Sequence, residues 1–225
     1  MNKQNQFKLF QIIFSVLCTF LIFGCQFLQP QYRYELIFTA EDSSMITPDI
    51  LSKTEMILRK RINFCLDGLS NVKTVDNNIV VELVRASDVS KTIKLATTIG
   101  IARFFNSDVK LDKGELIPPG ADIILTDKEI VSVELAYSPE KTDSDVSVSL
   151  SPEGIAKISE YSMSNTGRYL VFSIDNSVTA SLYVQEPIEG HSFVMTNVAS
   201  GDIDAKTLIA LLNSGRMPIQ LSVLK

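Results

Sequence analysis

The sequence holds no tryptophan, a single histidine (His191) and three cysteines in 225 residues. One histidine excludes the paired-histidine helix of a zinc protease. Three scattered cysteines beside it exclude a Cys/His zinc site. No G-x-G-x-x-G, no Walker-type phosphate loop and no G-x-S-x-G turn occurs. The net charge is -5, with no basic run beyond the N-terminus, so a positive footprint for nucleic acid is missing. Only one apolar stretch is long enough to raise the question of a membrane span, which excludes a polytopic membrane protein. Of the residues, 45% are apolar and 21% charged, the balance of an ordinary globular chain. A domain of about 200 residues buries enough surface to fold without disulfides or metal. No catalytic residue, cofactor, metal ligand or small-molecule substrate is expected, and the chain is not read as an enzyme.

What is present begins with a leader. Lys3 and Lys8 precede an apolar run from Leu9 to Phe23, the charged and apolar regions of an export signal. The run ends in Leu21-Ile22-Phe23-Gly24-Cys25, which resembles a bacterial lipobox. Residues 1–25 are therefore read as a lipoprotein-type signal with Cys25 as the lipidated residue, and 26–31 as a tether. An uncleaved anchor helix running to about Leu28, or plain cleaved secretion, stays open. All three readings place residues 30–225 on the extracytoplasmic face of the cell envelope. Cys18 lies in the apolar run and Cys25 is taken by lipid. Cys65 is then alone, without an intramolecular disulfide, on the apolar face of a helix where burial is expected.

The remaining chain alternates between strand and helix signals. Tyr32 to Ala40 reads as a strand. Thr47 caps a helix with Pro48 at its first position and a stripe of Leu51, Leu58, Ile62 and Cys65. Val72 to Val75 and Ile79 to Val84 form a hairpin around Asp76-Asn77-Asn78. A helix opening at Ser87 turns Val89, Ile93 and Ala96 inward and ends at Gly100. Ala102 to Asn106 is a strand that closes a βαββαβ order, the ferredoxin-like arrangement. Pro118-Pro119-Gly120 marks a linker. A second unit follows: strands at Ile130–Tyr137 and Val146–Leu150, a helix opened by Ser151-Pro152-Glu153, strands Tyr169–Ile174 and Val178–Val184 about Asp175-Asn176-Ser177, and a short strand Ser192–Met195. A helix from Ile203 to Asn213 closed by Gly215 and a strand from Pro218 to Leu224 end the chain.

Several residues invite sharper readings. Arg59, Lys60 and Arg61 read as a solvated helix end balancing C-terminal carbonyls. His191 reads as a loop residue, and Glu140, Asp143 and Asp145 as solvated carboxylates. Ser70-Asn71-Val72-Lys73 matches S-x-x-K in letters only, because it enters a strand and not a helix.

Longer pieces carry a resemblance. They are Leu58-Arg59-Lys60-Arg61-Ile62-Asn63, Ile79-Val80-Val81-Glu82-Leu83 and Ile99-Gly100-Ile101-Ala102-Arg103-Phe104. Gly154 and Ala156, Gly167-Arg168, Ile174-Asp175 with Val178, Glu186-Pro187-Ile188, and Leu211 to Pro218 follow in order. This ordered set resembles the first large periplasmic domain of the protein-export subunit SecD. Arg85-Ala86 replaces the family's Pro-Gly after its I-V-V-E-L strand. No membrane-spanning bundle follows, so coupling to a proton gradient is not expected. The resemblance implies an α+β fold: a ferredoxin-like βαββαβ base at 32–107 and 200–225, with an inserted α+β head subdomain at 113–196. It implies a non-catalytic, membrane-anchored accessory protein whose partners are exported or unfolded polypeptide, Sec translocon components, or both. The alternative is a structural or assembly subunit of an envelope complex that reuses the fold. Phe104, Phe105, Phe172 and Phe193 lie on strands and are expected in the core. Phe172 and Phe193 are the pair through which the head would grip apolar peptide if exposed.

Overall fold

The computed structural model describes residues 32–136, 145–196, 198 and 203–224. The leader, Cys25, the tether, Glu140 and Asp143 lie outside the described residues. Helix α1 (Pro48–Cys65) starts as its sequence dictates: Thr47 Oγ1 accepts from the Ile50 N–H at 3.2 Å, and Pro48 opens the first turn. Helix α2 (Val89–Thr97) follows the hairpin of β2 (Ser70–Val75) and β3 (Asn78–Leu83). Strand β1 (Tyr34–Ala40) pairs β3 on one side and β11 (Leu221–Val223) on the other. The first sheet thus runs β11-β1-β3-β2, every pair antiparallel. That is the ferredoxin-like order.

The fourth strand of this sheet is not the one expected. Ala102–Asn106 was to close the βαββαβ order. Instead β4 (Ala102–Ser107) joins a second sheet, in the order β5 (Ile123–Thr126), β4, β8 (Tyr169–Ile174), β9 (Ser177–Tyr183). The first sheet is completed by β11. The reason is non-local, since β4 pairs with β8 some 70 residues further on; Gly100, at φ +91°, lies where the chain leaves the first layer just after α2. A third sheet, β10 (Ser192–Met195), β7 (Val146–Leu150), β6 (Ile130–Leu135), completes the strands among the described residues. Helix α3 (Pro152–Ser164) is capped by Ser151 Oγ, which accepts from Gly154 N. Helix α4 (Ala205–Ser214) is capped by Asp204 and closed by Gly215.

The described chain is therefore mixed α+β, with four α-helices and three antiparallel sheets. The tight turns of the β2–β3 and β8–β9 hairpins are the ones expected: Asp76 and Asp175 take φ of 52° and 55°, a left-handed conformation that aspartate tolerates better than most residues. One continuous core links all three sheets, from Phe38, Ile62 and Val81 through Phe104, Phe172 and Val148 to Leu208 and Leu211. Helix α4 packs against both α1 and β6. No helix of the described residues is long and apolar enough to cross a membrane.

Candidate functional site

Arg61 corrects one expectation and keeps part of it. It is fully buried, not solvated, because it lies on the same face of α1 as Leu58, Ile62 and Cys65. Its five N–H groups donate to Leu95 O, Thr98 O, Ile99 O, Gly215 O and Ser214 Oγ, at 2.5 to 2.9 Å. Those acceptors belong to the C-terminal ends of α2 and α4, where unpaired carbonyls concentrate negative partial charge. The cation does balance helix C-terminal carbonyls, but those of two other helices. Burial pushes its pKa down to about 10, against the pull of the Asp175 carboxylate, so it stays charged at neutral pH.

Asp175 holds the same connector from the other side. Its carboxylate accepts from Ile99 N at 3.1 Å and from Gly100 N and Ile101 N at 2.9 Å each. Three successive amides aimed at one carboxylate form an anion nest. Gly100 makes the nest possible. A Cβ there would stand 2.8 Å from Arg61 Nη2, and its φ is positive. Residues 98–101 are thus clamped, carbonyls to Arg61 and amides to Asp175. Arg61 and Ser214 are 153 positions apart, so motif pieces scattered along the chain meet at one junction.

A second polar contact sits at the turn between β5 and β6. Glu129 bonds to Lys157 Nζ at 2.7 Å and to Thr126 N and Oγ1 at 2.8 Å each. Burial alone would raise its pKa. The Lys157 and Thr126 bonds overcome that and hold it at about 2. Gly154 on α3 allows this approach, since a Cβ there would meet Glu129 Cβ at 2.9 Å.

The phenylalanines divide. Phe172 is fully buried on β8, an inner strand, with its ring centroid 4.7 Å from that of Phe104. Its ring offers no surface to a peptide in this structure. Phe193 is partly exposed, its ring edge-on to Phe104 at 5.6 Å. Cys65 is buried as expected, and burial raises its thiol to about 11. Asp145, read as solvated, is buried. His191 is exposed. Lys73 of the S-x-x-K letters lies on β2 and pairs with Glu82. Among the described residues no group of three or more His, Cys, Asp or Glu is set to hold a metal.

The sheet edges differ in how they are closed. On β2, Arg59 donates to Val72 O and Glu55 accepts from Thr74 N. On β9, the segment 114–117 donates Gly114 N to Val178 O and accepts Val178 N at Glu115 O. On β6, the Asn213 amide accepts from Val133 N at 2.9 Å and donates to Val133 O at 2.7 Å. On β5, the pairing shifts register beside Ile124, and Thr126 N is held by Glu129. On the three-residue β11, Leu221 O receives Gln220 Nε2. Strand β10 has no such partner among the described residues. Leu150 N donates to His191 O, which sets the alternation: Ser192 and Val194 turn their N–H and C=O groups away from β7. Sequence patterning identified the strand but not its open side, because edge position is a property of topology.

The family model for the SecDF P1 head subdomain matches residues 103–219, which is more than half of the 225-residue chain. The chain belongs to this family. The protein translocase subunit SecD of Acidaminococcus fermentans is 22% identical over all of this chain and 53% of its own length. That of Leptotrichia buccalis is 24% identical over all of this chain and 54% of its own. The chain spans about half the length of these curated relatives. A crystal structure of SecDF in a super-membrane-facing form superposes with a TM-score of 0.66 at 19% identity, over the whole chain and 35% of the solved one. A SecDF structure described as a membrane component that enhances protein export gives 0.62 at 22% identity, over 85% of this chain and 98% of that one. The fold is that of the SecD periplasmic domain. Asp175, Ser214 and Gly215 lie within the SecDF P1 head match and Arg61 lies before it, so the clamp ties the matched head segment to the layer that precedes it.

Proposed function

We propose that this protein is an extracytoplasmic, SecD-like accessory of protein export that binds polypeptide through its head and does no chemistry. The match to the SecDF P1 head over 103–219 carries the reading. The open edge of β10 supports it, because an unpaired strand edge is a ready template for an extended chain. In this reading residues 113–196 form the head, and 32–107 with 200–225 the base. Cys25 is the lipid attachment that holds the protein at the envelope membrane. Translocon components and emerging polypeptides are its partners.

The test is crosslinking in cells. Photoreactive residues replace exposed head side chains such as Leu116, Leu135 and Met163 in the full chain. Capture of diverse exported chains or of translocon subunits is the expected result. Capture of one stoichiometric envelope protein overturns it in favour of an assembly subunit. Capture of nothing at any position overturns both. Replacing Cys25 with serine and following the protein between membrane and soluble fractions tests the anchor separately; release from the membrane is expected.

A further inference from the structure

We infer that the outer edge of β10 is the polypeptide site, and that it takes an extended segment with apolar residues at alternate positions as an added strand of the third sheet. The inference rests on the polypeptide-binding reading above and makes it specific. Two observations carry it.

The first is the backbone. Ser192 and Val194 each present an outward N–H and C=O with no hydrogen bond among the described residues. The edges of β2, β6 and β9 have such positions filled in part, at Val72 and Thr74 by an ion pair, at Val133 by an amide and at Val178 by a strap. Strand β5 is bulged and held by Glu129, and β11 is three residues long with one outward carbonyl engaged. Strand β10 differs in that neither of its outward residues is engaged among the described residues, and a regular open edge suits a partner that brings its own row of backbone groups. Only an extended chain does so.

The second is the side-chain row. Phe193 pairs with Val148, and Val148 with Val133, across the third sheet. Val133 and Val148 are at 0% exposure, whereas Phe193 at the outer end is partly open. The apolar row is one residue short of cover on the β10 side. An added strand would set a side chain next to Phe193 on that face and its next one on the outer face beside Val194. The partner is therefore apolar at every second residue, as unfolded β-forming segments are.

The test uses purified full-length protein and two fluorescein-labelled ten-residue peptides. One alternates valine with lysine and threonine. The other has the same sequence, N-methylated at every second residue. The first binds, and N-methylation weakens binding by about tenfold through loss of edge hydrogen bonds. Val194→Pro removes one outward N–H without touching the ladder to β7 and weakens the unmodified peptide by about tenfold. Val194→Thr keeps the N–H and leaves affinity within about twofold, as expected for an exposed residue. Equal affinity for both peptides overturns the inference, and does so even if the proline variant fails to fold. A concentration-dependent dimer that Val194→Pro dissolves also overturns it, since a second copy then occupies the edge. Val194→Pro protein that still captures exported chains in cells as the unaltered protein does would end this inference and leave the proposed function standing. No capture by the unaltered protein would end both.

Discussion

The junction around residues 98–101 and the edge at β10 handle backbone polarity in opposite ways. At the junction the carbonyls of Thr98 and Ile99 and the amides of Ile99, Gly100 and Ile101 each find a charged partner, and a buried guanidinium uses all five of its donors. At the edge, the outward groups of Ser192 and Val194 have no partner among the described residues. The first arrangement fixes two layers against each other, because loss of one partner strands buried polar groups. The second costs little while water satisfies it and is available when another chain replaces the water. Rigid support and adaptable surface are thus separated in space within one molecule.

The comparison can be broken most forcefully at Arg61. Arg61→Ala leaves five acceptors without their donor, and the urea midpoint should report a loss of about 3–5 kcal/mol. Arg61→Lys recovers only part, since an ammonium cannot form the same planar fork. Gly100→Ala comes next. It strains a positive φ and presses on Arg61 Nη2, at about 1–3 kcal/mol by the same measurement. In the double variant Gly100→Ala, Arg61→Ala the penalties should fall short of their sum, because removing the guanidinium relieves the clash.

Glu129 gives a pH signature away from both regions. Its carboxyl falls from an ordinary 4.5 to about 2 in the fold. A depressed carboxyl stabilises above the unfolded value, and that stabilisation is lost as pH falls from about 4.5 to about 2. The urea midpoint of the native protein should therefore drop more steeply across this window than that of Glu129→Gln. A parallel decline in the two would mean Glu129 titrates without consequence. The smallest stability effect belongs to the edge: Val194→Pro should shift the midpoint by less than about 1 kcal/mol while abolishing most peptide binding. A large destabilisation there would erase the contrast with Arg61.

Much of the fold was legible where the cause is local. Thr47-Pro48, Ser151-Pro152 and the Asp-Asn turns mark element ends through their own side chains, and these elements appear where expected. Strand β5 was missed because Ile123-Ile124-Leu125 is too short an apolar run beside Pro118-Pro119-Gly120. Ala102–Asn106 was identified as a strand but given the wrong sheet, since pairing partners are set by distant residues. Arg61 was misjudged for a related reason. A helical pattern shows which residues share a face, but not that two other helices will end against it. Its own spacing with Leu58 and Cys65 was the available signal. Phe172 lies in the core as expected, while the inner place of β8 in its sheet, which leaves the ring no free surface, is again set by distant partners.

The position of β11 has a consequence in time. The first sheet needs residues 221–223 beside β1, yet its other three strands are complete by Leu83. A chain delivered N-terminus first holds β1 with one side bare until almost everything else has emerged. Arg61 meanwhile waits for acceptors at 214 and 215. Assembly of this layer is therefore a late, non-local event with the slow closure that high contact order brings. During that interval the bare side of β1 is one more strand edge open to any extended chain nearby.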